Sequence, residues 1–313
     1  MTIRDRLIRL GVGLALLIVL LVVLFSVTTA LISTWGATAA EAAAPEPGDD
    51  ILANPTVRFT NAVTIDAPPE EVWPWIAQIG DTRGGFYSYT FIENRIGALT
   101  GAADYTVVYH NAEAIIPEWQ NPQPGDAIIQ GSLKWRELQP NQYALAESID
   151  PTIMGWTWVW HLYPIDGGQQ TRLVSRFLIE PAPGMENPVM GMMMNLGGFV
   201  MQLNMLQGIQ LRAEGGTEPA WIETVEIVLW FVPLLAGVVA GIAFLVQREW
   251  RVPLLVTVAA VVLLFVLTFI QPPLFWRVIL DVLIAAGAVW TVIRSRLSPA
   301  RGEAIRARAA AVG

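Results

Sequence analysis

Few side chains in this sequence could serve as acids, bases or ligands. There are two histidines, His110 and His161, and no cysteine. Without cysteine there is no thiolate nucleophile and no thiolate metal ligand. Two histidines fall short of a three-histidine zinc site, and neither stands in a His-x-x-x-His or His-Glu-x-x-His spacing. A site completed by carboxylates stays open, but no metal and no cofactor are expected. A Gly-x-Ser-x-Gly elbow is missing, and Arg83-Gly84-Gly85 lacks the spacing of a phosphate loop. What remains for catalysis is the two histidines and the chain's 27 carboxylates. An imidazole or carboxyl group enclosed in an apolar cavity can do general acid–base work. The competing reading is structural: Arg83, Arg172, Arg176 and Arg212 would tie carboxylates into ion pairs.

A second group of residues points to apolar binding. Trp156, Trp158 and Trp160 alternate, which places them on one face of a strand. Met190, Met192, Met193, Met194, Met201 and Met205, with Leu196, Phe199 and Leu203, make 187–213 apolar nearly all round. Such a helix must be buried or face lipid. Its methionines suit irregular apolar ligands, although core packing explains the same pattern.

The elements that must position these residues follow from pattern. Thr56–Ile65 reads as a strand. Asp66 then caps a helix opened by Pro68 and Pro69, with Glu70 and Glu71 in its first turn and Val72, Trp73, Ile76 and Ile79 on its apolar stripe. Phe91–Ile96 reads as a second short helix. Strands follow at Ala127–Ser132, Lys134–Leu138, Tyr143–Ile149, Thr157–Tyr163 and Thr171–Glu180, the last two joined by Asp166-Gly167-Gly168. Asn187–Ala213 is the long final helix. Ala37–Leu52, rich in Ala, Pro, Glu and Asp, reads as a flexible tether within a linker at 36–54.

The flanks are of another kind. The chain is 313 residues long, 54% hydrophobic and only 15% charged, well short of the ~25% of soluble domains. Leu10–Ile32, Ile227–Val246, Val252–Ile270 and Leu274–Ile293 are each long enough to span a bilayer. The first is too long for a signal-peptide core, so it reads as an uncleaved anchor within 1–35. The other three form a bundle over 220–296, with tight turns at Gln247–Arg251 and Gln271–Pro273, and 297–313 is a basic tail. Arg4, Arg6 and Arg9 precede the first span, Arg248 and Arg251 separate the second and third, and five arginines follow the fourth. With four spans these segments share one side, so both termini are expected in the cytoplasm and the protein in the cytoplasmic membrane. Residues 36–219, with 8 Lys/Arg against 21 Asp/Glu, are then extracytoplasmic. This acidic block, with no basic stripe, argues against a nucleic-acid partner, and none is expected. Arg277 and Asp281, four residues apart within the fourth span, are expected to pair with each other.

The segment Val63-Thr-Ile-Asp-Ala-Pro-Pro-Glu-Glu-Val-Trp-Pro-Trp-Ile-Ala-Gln-Ile-Gly resembles the opening of the SRPBCC superfamily (START, Bet v 1 and polyketide-cyclase-like proteins). The resemblance continues through Arg83-Gly-Gly-Phe-Tyr-Ser-Tyr, Glu93-Asn94, His110-Asn-Ala-Glu, Ile116-Pro-Glu-Trp-Gln, Pro124-Gly-Asp and Gly208-Ile-Gln-Leu-Arg-Ala-Glu. It covers about half the chain, and the four spans lie outside it. It implies an α+β helix-grip domain over 55–214, a curved antiparallel sheet around a long C-terminal helix. It also implies an apolar cavity between the two. Trp73, Phe86, Tyr87, Tyr89, Trp119, Trp135, Trp158, Met193, Leu196 and Val200 are the expected cavity wall. Fold alone does not select a function. The leading reading is a membrane-tethered, non-enzymatic module binding a membrane lipid or apolar small molecule. The alternatives are a cyclase or hydrolase using His110, Glu93 and Glu118, and a subunit whose membrane helices dock a partner protein.

Overall fold

The computed structural model describes residues 2–94, 110–182, 184 and 188–310, with the side chains of 188–190, 192–194 and 295–310 outside the description. The chain divides into two compact units, Thr29–Ala220 and Met1–Thr28 with Trp221–Gly313.

The first unit is built on a six-stranded antiparallel sheet. Its strands are β1 (Val57–Ile65), β2 (Ala127–Ile129), β3 (Leu133–Gln139), β4 (Tyr143–Ser148), β5 (Met154–Ile165) and β6 (Gln170–Pro181), in the spatial order β1-β6-β5-β4-β3-β2. Strands β5 and β6 form the longest hairpin, paired from Met154↔Pro181 to Ile165↔Gln170. Its turn has positive φ at Asp166, Gly167 and Gly168, which the two glycines adopt without side-chain cost. Between β1 and β2 lie α3 (Pro69–Ala77) and, at residues 90–94, the described part of α4. The rest of the helix expected at Phe91–Ile96 falls outside the described residues. After β6 comes α5 (Pro188–Ala213), which packs on β1 and α3.

Two local expectations are corrected. Asp66 does not cap α3. Pro68 holds the N-cap position with no side-chain bond, and Asp66 Oδ1 instead accepts from Gln170 Nε2 at 3.2 Å. The linker 36–54 is not a free tether. It carries α2 (Ala39–Ala43), opened by a reciprocal Thr38–Glu41 capping box, and it is fastened across the outer face of the sheet. Thr60 and Ala62 of edge strand β1 donate backbone bonds to Ser33 and Trp35. Arg172 clasps Glu41. Glu46 meets His161 Nδ1 at 2.7 Å and Tyr163 Oη at 3.0 Å. Arg176 is fully buried. It donates to Thr60 Oγ1, to the carbonyls of Glu41, Ala42 and Ala44, and to Asp49. Arginine's fork of donors suits such convergent carbonyl binding. Composition marked this segment as polar and proline-rich; its partners lie more than a hundred residues away.

The second unit contains the four apolar helices. These are α1 (Ile3–Ile32), α6 (Ile222–Val246), α7 (Arg251–Phe265, extended by a π turn over Val266–Ile270) and α8 (Leu274–Ala310). Each is long and apolar enough to cross a membrane. The chain is therefore a membrane protein by length and composition of its helices. Short connections at 247–250 and 271–273 join α6, α7 and α8. At the first of these, Arg9 of α1 donates to the carbonyls of Phe244, Gln247 and Arg248, the last at 3.1 Å. The Phe244 and Gln247 carbonyls lie at the C-terminal end of α6, where the helix leaves its last carbonyls unbonded, and Arg248 follows just beyond the cap. The expected Arg277–Asp281 pair does not form. Arg277 pairs with Glu226 of α6 at 3.0 Å and also bonds the carbonyls of Gln271 and Pro272. Asp281 is buried with neither carboxylate oxygen hydrogen-bonded among the described residues.

Candidate functional site

The inner face of the sheet is set by strand alternation. One register row crosses five strands: Phe59, Phe177, Trp158, Ala146 and Trp135. The next row carries Asn61, Ser175, Trp160 and Ala144. The small residues of β4 leave space that neighbouring rings occupy. Trp135 and Trp160 meet edge to face at 5.6 Å, Trp158 and Trp160 lie 4.4 Å apart, and Phe59 stacks on Phe177 at 4.7 Å. Offset and edge-to-face contacts of this kind add ~0.5–1.5 kcal/mol each beyond area burial.

Helix α5 closes this face. Gly198 lies where a Cβ would sit 3.2 Å from Phe59 Cζ. Met205 Sδ accepts from Trp160 Nε1 at 3.4 Å. Gln202, fully buried, donates to Asn61 Oδ1 at 3.0 Å and to the Ser175 carbonyl at 3.3 Å. Asn61 donates in turn to the Ile32 carbonyl at 2.8 Å, and Trp158 Nε1 donates to Ser175 Oγ at 3.0 Å. A polar seam thus runs through an aromatic interior. Three of its neighbouring groups have no hydrogen-bond partner among the described residues: Trp135 Nε1, Trp156 Nε1 and Gln202 Oε1. Buried polar atoms are normally paired, and exceptions call for water, ligand or functional strain.

A second wall forms at the far end of α5. A Cβ on Gly208 would lie 2.3 Å from the Tyr87 carbonyl oxygen, so only glycine permits this approach. Tyr87 itself has φ of 54°. Its hydroxyl donates to the Trp75 carbonyl at 3.1 Å and accepts from Gln78 Nε2 at 2.9 Å. Burial pushes its pKa up, so it stays a neutral donor. Gln78 Nε2 also bonds the Ala114 carbonyl, and its Oε1 accepts from Ile116 N and Gln120 Nε2. This one buried amide pins the segment 114–120. Arg212, also buried, lies 5.0 Å over the Tyr87 ring and pairs with Glu113 and Glu218. Nearby in sequence, Asp81 is held by Gln130 N at 2.7 Å, and burial raises its pKa.

The expected wall residues are divided by the structure. Trp73, Phe86, Tyr87, Trp135 and Trp158 share one buried core. Tyr89 and Val200 are buried, and Leu196 is half-buried. Trp119 is also only half-buried, in a 3-10 turn. The Met193 side chain lies outside the described residues. Of the acid–base candidates, His110 and Glu118 are exposed and Glu93 is half-buried. Asp126 pairs with Arg83 at 2.7 Å and its pKa is lowered, first by the Gln123 backbone N–H. Among the described residues no group of three or more His, Asp or Glu is placed to hold a metal ion.

Sequence reasoning missed Asn61, Ser175 and Gln202. The signal was present for two of them. Asn61 interrupts the otherwise apolar inward face of β1 (Val57, Phe59, Val63, Ile65), and Gln202 interrupts the apolar surface of α5.

No protein-family model matches the chain, and no curated protein matches it. Among solved structures, it is similar to the ZhuI aromatase/cyclase from Streptomyces sp. R1128. Identity is 14% over 50% of this chain and 93% of that one, with a TM-score of 0.28. It is also similar to the Mll3558 protein from Rhizobium loti, at 13% identity, 48% and 95% coverage and a TM-score of 0.26. DynU16, a protein of the dynemicin biosynthetic locus, matches at 14% identity over 48% and 45% of the two chains, with a TM-score of 0.25. The sheet order and the packing of α5 define the fold here independently of these weak likenesses.

Proposed function

We propose that Thr29–Ala220 is a helix-grip domain that binds an apolar small molecule or lipid carrying a polar group. In this reading the domain stands at the outer face of the cytoplasmic membrane, with both chain termini in the cytoplasm. The observation that carries it is the set of unpartnered buried groups, Trp135 Nε1, Trp156 Nε1 and Gln202 Oε1, in an aromatic interior. Two donors and one acceptor suit a hydroxyl or carbonyl on a ring-bearing or isoprenoid body. The surrounding indoles offer stacking faces for it. His110 and Glu118 are exposed and Glu93 is half-buried, so these three form no fully enclosed acid–base pair among the described residues, which favours binding without turnover over cyclase or hydrolase activity.

Native mass spectrometry of the full chain, released gently from its own membrane, tests this directly. The expected result is a reproducible bound apolar molecule. Trp135→Phe keeps an aromatic ring and removes the indole N–H donor, so retention falls about fivefold, the worth of one hydrogen bond. An empty protein that unfolds at the same temperature before and after lipid addition would overturn the reading. Recovery of a chemically altered molecule would favour the enzyme, and a co-released stoichiometric protein the subunit. The absence of cysteine makes orientation accessible. A cysteine at exposed Ile153 should react with an impermeant maleimide in intact cells, and one at Arg248 should not.

A further inference from the structure

The membrane unit contains a groove unrelated to the inner face of the sheet. It has a volume of about 520 Å³ and is formed by α7 and α8. Val252, Ala259 and Val266 line it from α7, and Leu280, Ile284 and Gly287 from α8. Gly287 lies where a Cβ would meet Val256 Cγ2 at 3.3 Å, so the two helices approach closely at the groove floor. Leu255 and Leu283, both largely exposed, form its rims. From Val252 to Val266 the helix rises about 21 Å. That exceeds the ~15 Å hydrocarbon depth of one leaflet.

The two ends of this groove differ in charge. At the Val252 end stand Arg248 and Arg251, both exposed. Neither guanidinium has an ion pair among the described residues. The neighbouring carboxylate Glu249 is taken by Arg294 at 2.8 Å, and Arg9 is occupied by carbonyls at and just past the α6 end. Trp250, partly exposed, adds an indole of the kind that settles at headgroup level. At the other end, the turn 271–273 carries no charge, and Arg277 is held by Glu226. An apolar slot with unsatisfied cations at one end has the polarity of a phospholipid.

We propose that the membrane unit binds an anionic glycerophospholipid, with one acyl chain in the α7–α8 groove and its phosphate at Arg251 and Arg248. This rests on the membrane unit alone and stands whatever Thr29–Ala220 binds. Basic groups beside a membrane helix recognise anionic headgroups by charge. The groove adds the requirement for a seated chain.

The test uses the full chain in mild detergent, offered equal amounts of phosphatidylglycerol and phosphatidylcholine and read by native mass spectrometry. Two arginines, at about 1 kcal/mol each, should give a preference for phosphatidylglycerol of about thirtyfold. The double variant Arg248→Gln, Arg251→Gln should bring the two lipids to parity. Ala259→Phe fills the groove and should abolish retention with both arginines intact. Val252→Trp blocks the mouth at a half-buried position and gives the same readout should Ala259→Phe fail to fold. Equal retention of both lipids by the unaltered chain would overturn the proposal. So would an undiminished preference in a folded groove variant, which would mark surface charge alone. Protection of the groove by a second polypeptide in place of lipid would also overturn it.

Discussion

The most informative perturbation is Arg176→Met. The methionine keeps the aliphatic stem and removes the guanidinium. In the folded protein that group is fully buried and reaches Thr60 Oγ1 at 3.0 Å, Ala44 O at 2.8 Å, Ala42 O at 3.0 Å and Glu41 O at 3.1 Å, besides its bond to Asp49. Its loss leaves three carbonyls and one carboxylate without their donor. Breaking a buried pair in this way costs about 3–5 kcal/mol. Asp49 remains partly solvated and has Arg58 at 3.5 Å, which puts the expectation at the lower end. For a unit of this size, ~3 kcal/mol lowers Tm by about 6–12 °C. The assay is tryptophan-monitored thermal unfolding of the full chain in detergent, paired with limited proteolysis across 36–54. The expected outcome is a lowered Tm together with new cleavage in that segment. Arg136→Met, which breaks an exposed pair with Glu147, should change Tm by less than about 2 °C. If Arg176→Met leaves the segment resistant and matches Arg136→Met in Tm, the guanidinium does not fasten the strap, and the reasoning fails.

Three further outcomes follow from particular contacts. Glu41 has its pKa lowered to about 2, first by the Arg172 hydrogen bond. Its contribution is therefore complete above the unfolded value of 4.5 and is lost as pH falls through that value toward 2. Allowing for solvent screening it amounts to roughly 1–2 kcal/mol, and Arg172→Met should flatten the fall in Tm over that window. Gly208→Ala drives a methyl against the Tyr87 carbonyl, so a loss of about 1–3 kcal/mol is expected in chemical denaturation; an unchanged midpoint would contradict the close approach. Asp281→Leu removes two unpartnered buried oxygens, and thermal unfolding should show equal or higher stability, by up to about 1–3 kcal/mol; a clear loss would mean that Asp281 has a partner.

Strand existence was legible because it depends on local pattern. Thr56–Ile65, Tyr143–Ile149 and Thr171–Glu180 were each placed within a residue or two of the observed strands. Alternation and turn residues are short-range signals. The spans were legible for a stronger reason: lipid demands a continuous run that composition alone reveals. The strap was not legible, because no local feature of Ala37–Leu52 announces that Arg172, Arg176 and His161 lie opposite it. Those three sit at alternating outward positions of β5 and β6, as does Tyr163, and they form a row of polar groups on a face that would otherwise meet water. A row of long polar side chains on one sheet face, next to a capping-box segment with acids at 41, 46 and 49, is the pattern that could have shown it.

The same logic separates the two kinds of polar group buried in this chain. Arg176, Gln78 and Arg212 are satisfied several times over. Their deletion would free carbonyls and amides that water cannot reach, so their role is to hold segments in place. Trp135 Nε1, Trp156 Nε1 and Gln202 Oε1 have no partner among the described residues, although Trp158, Trp160 and Asn61 around them are hydrogen-bonded. A folded chain that left such groups unmet would lose about 1–3 kcal/mol at each with nothing in return. On the proposed reading, a ligand bearing one hydroxyl or carbonyl would recover part of that cost on binding. Binding would then be favourable beyond the burial of its apolar body and would select against a pure hydrocarbon of equal size. The discriminating comparison is an alcohol against its parent alkane, with the alcohol retained more tightly by the unaltered chain and the difference diminished by Trp135→Phe.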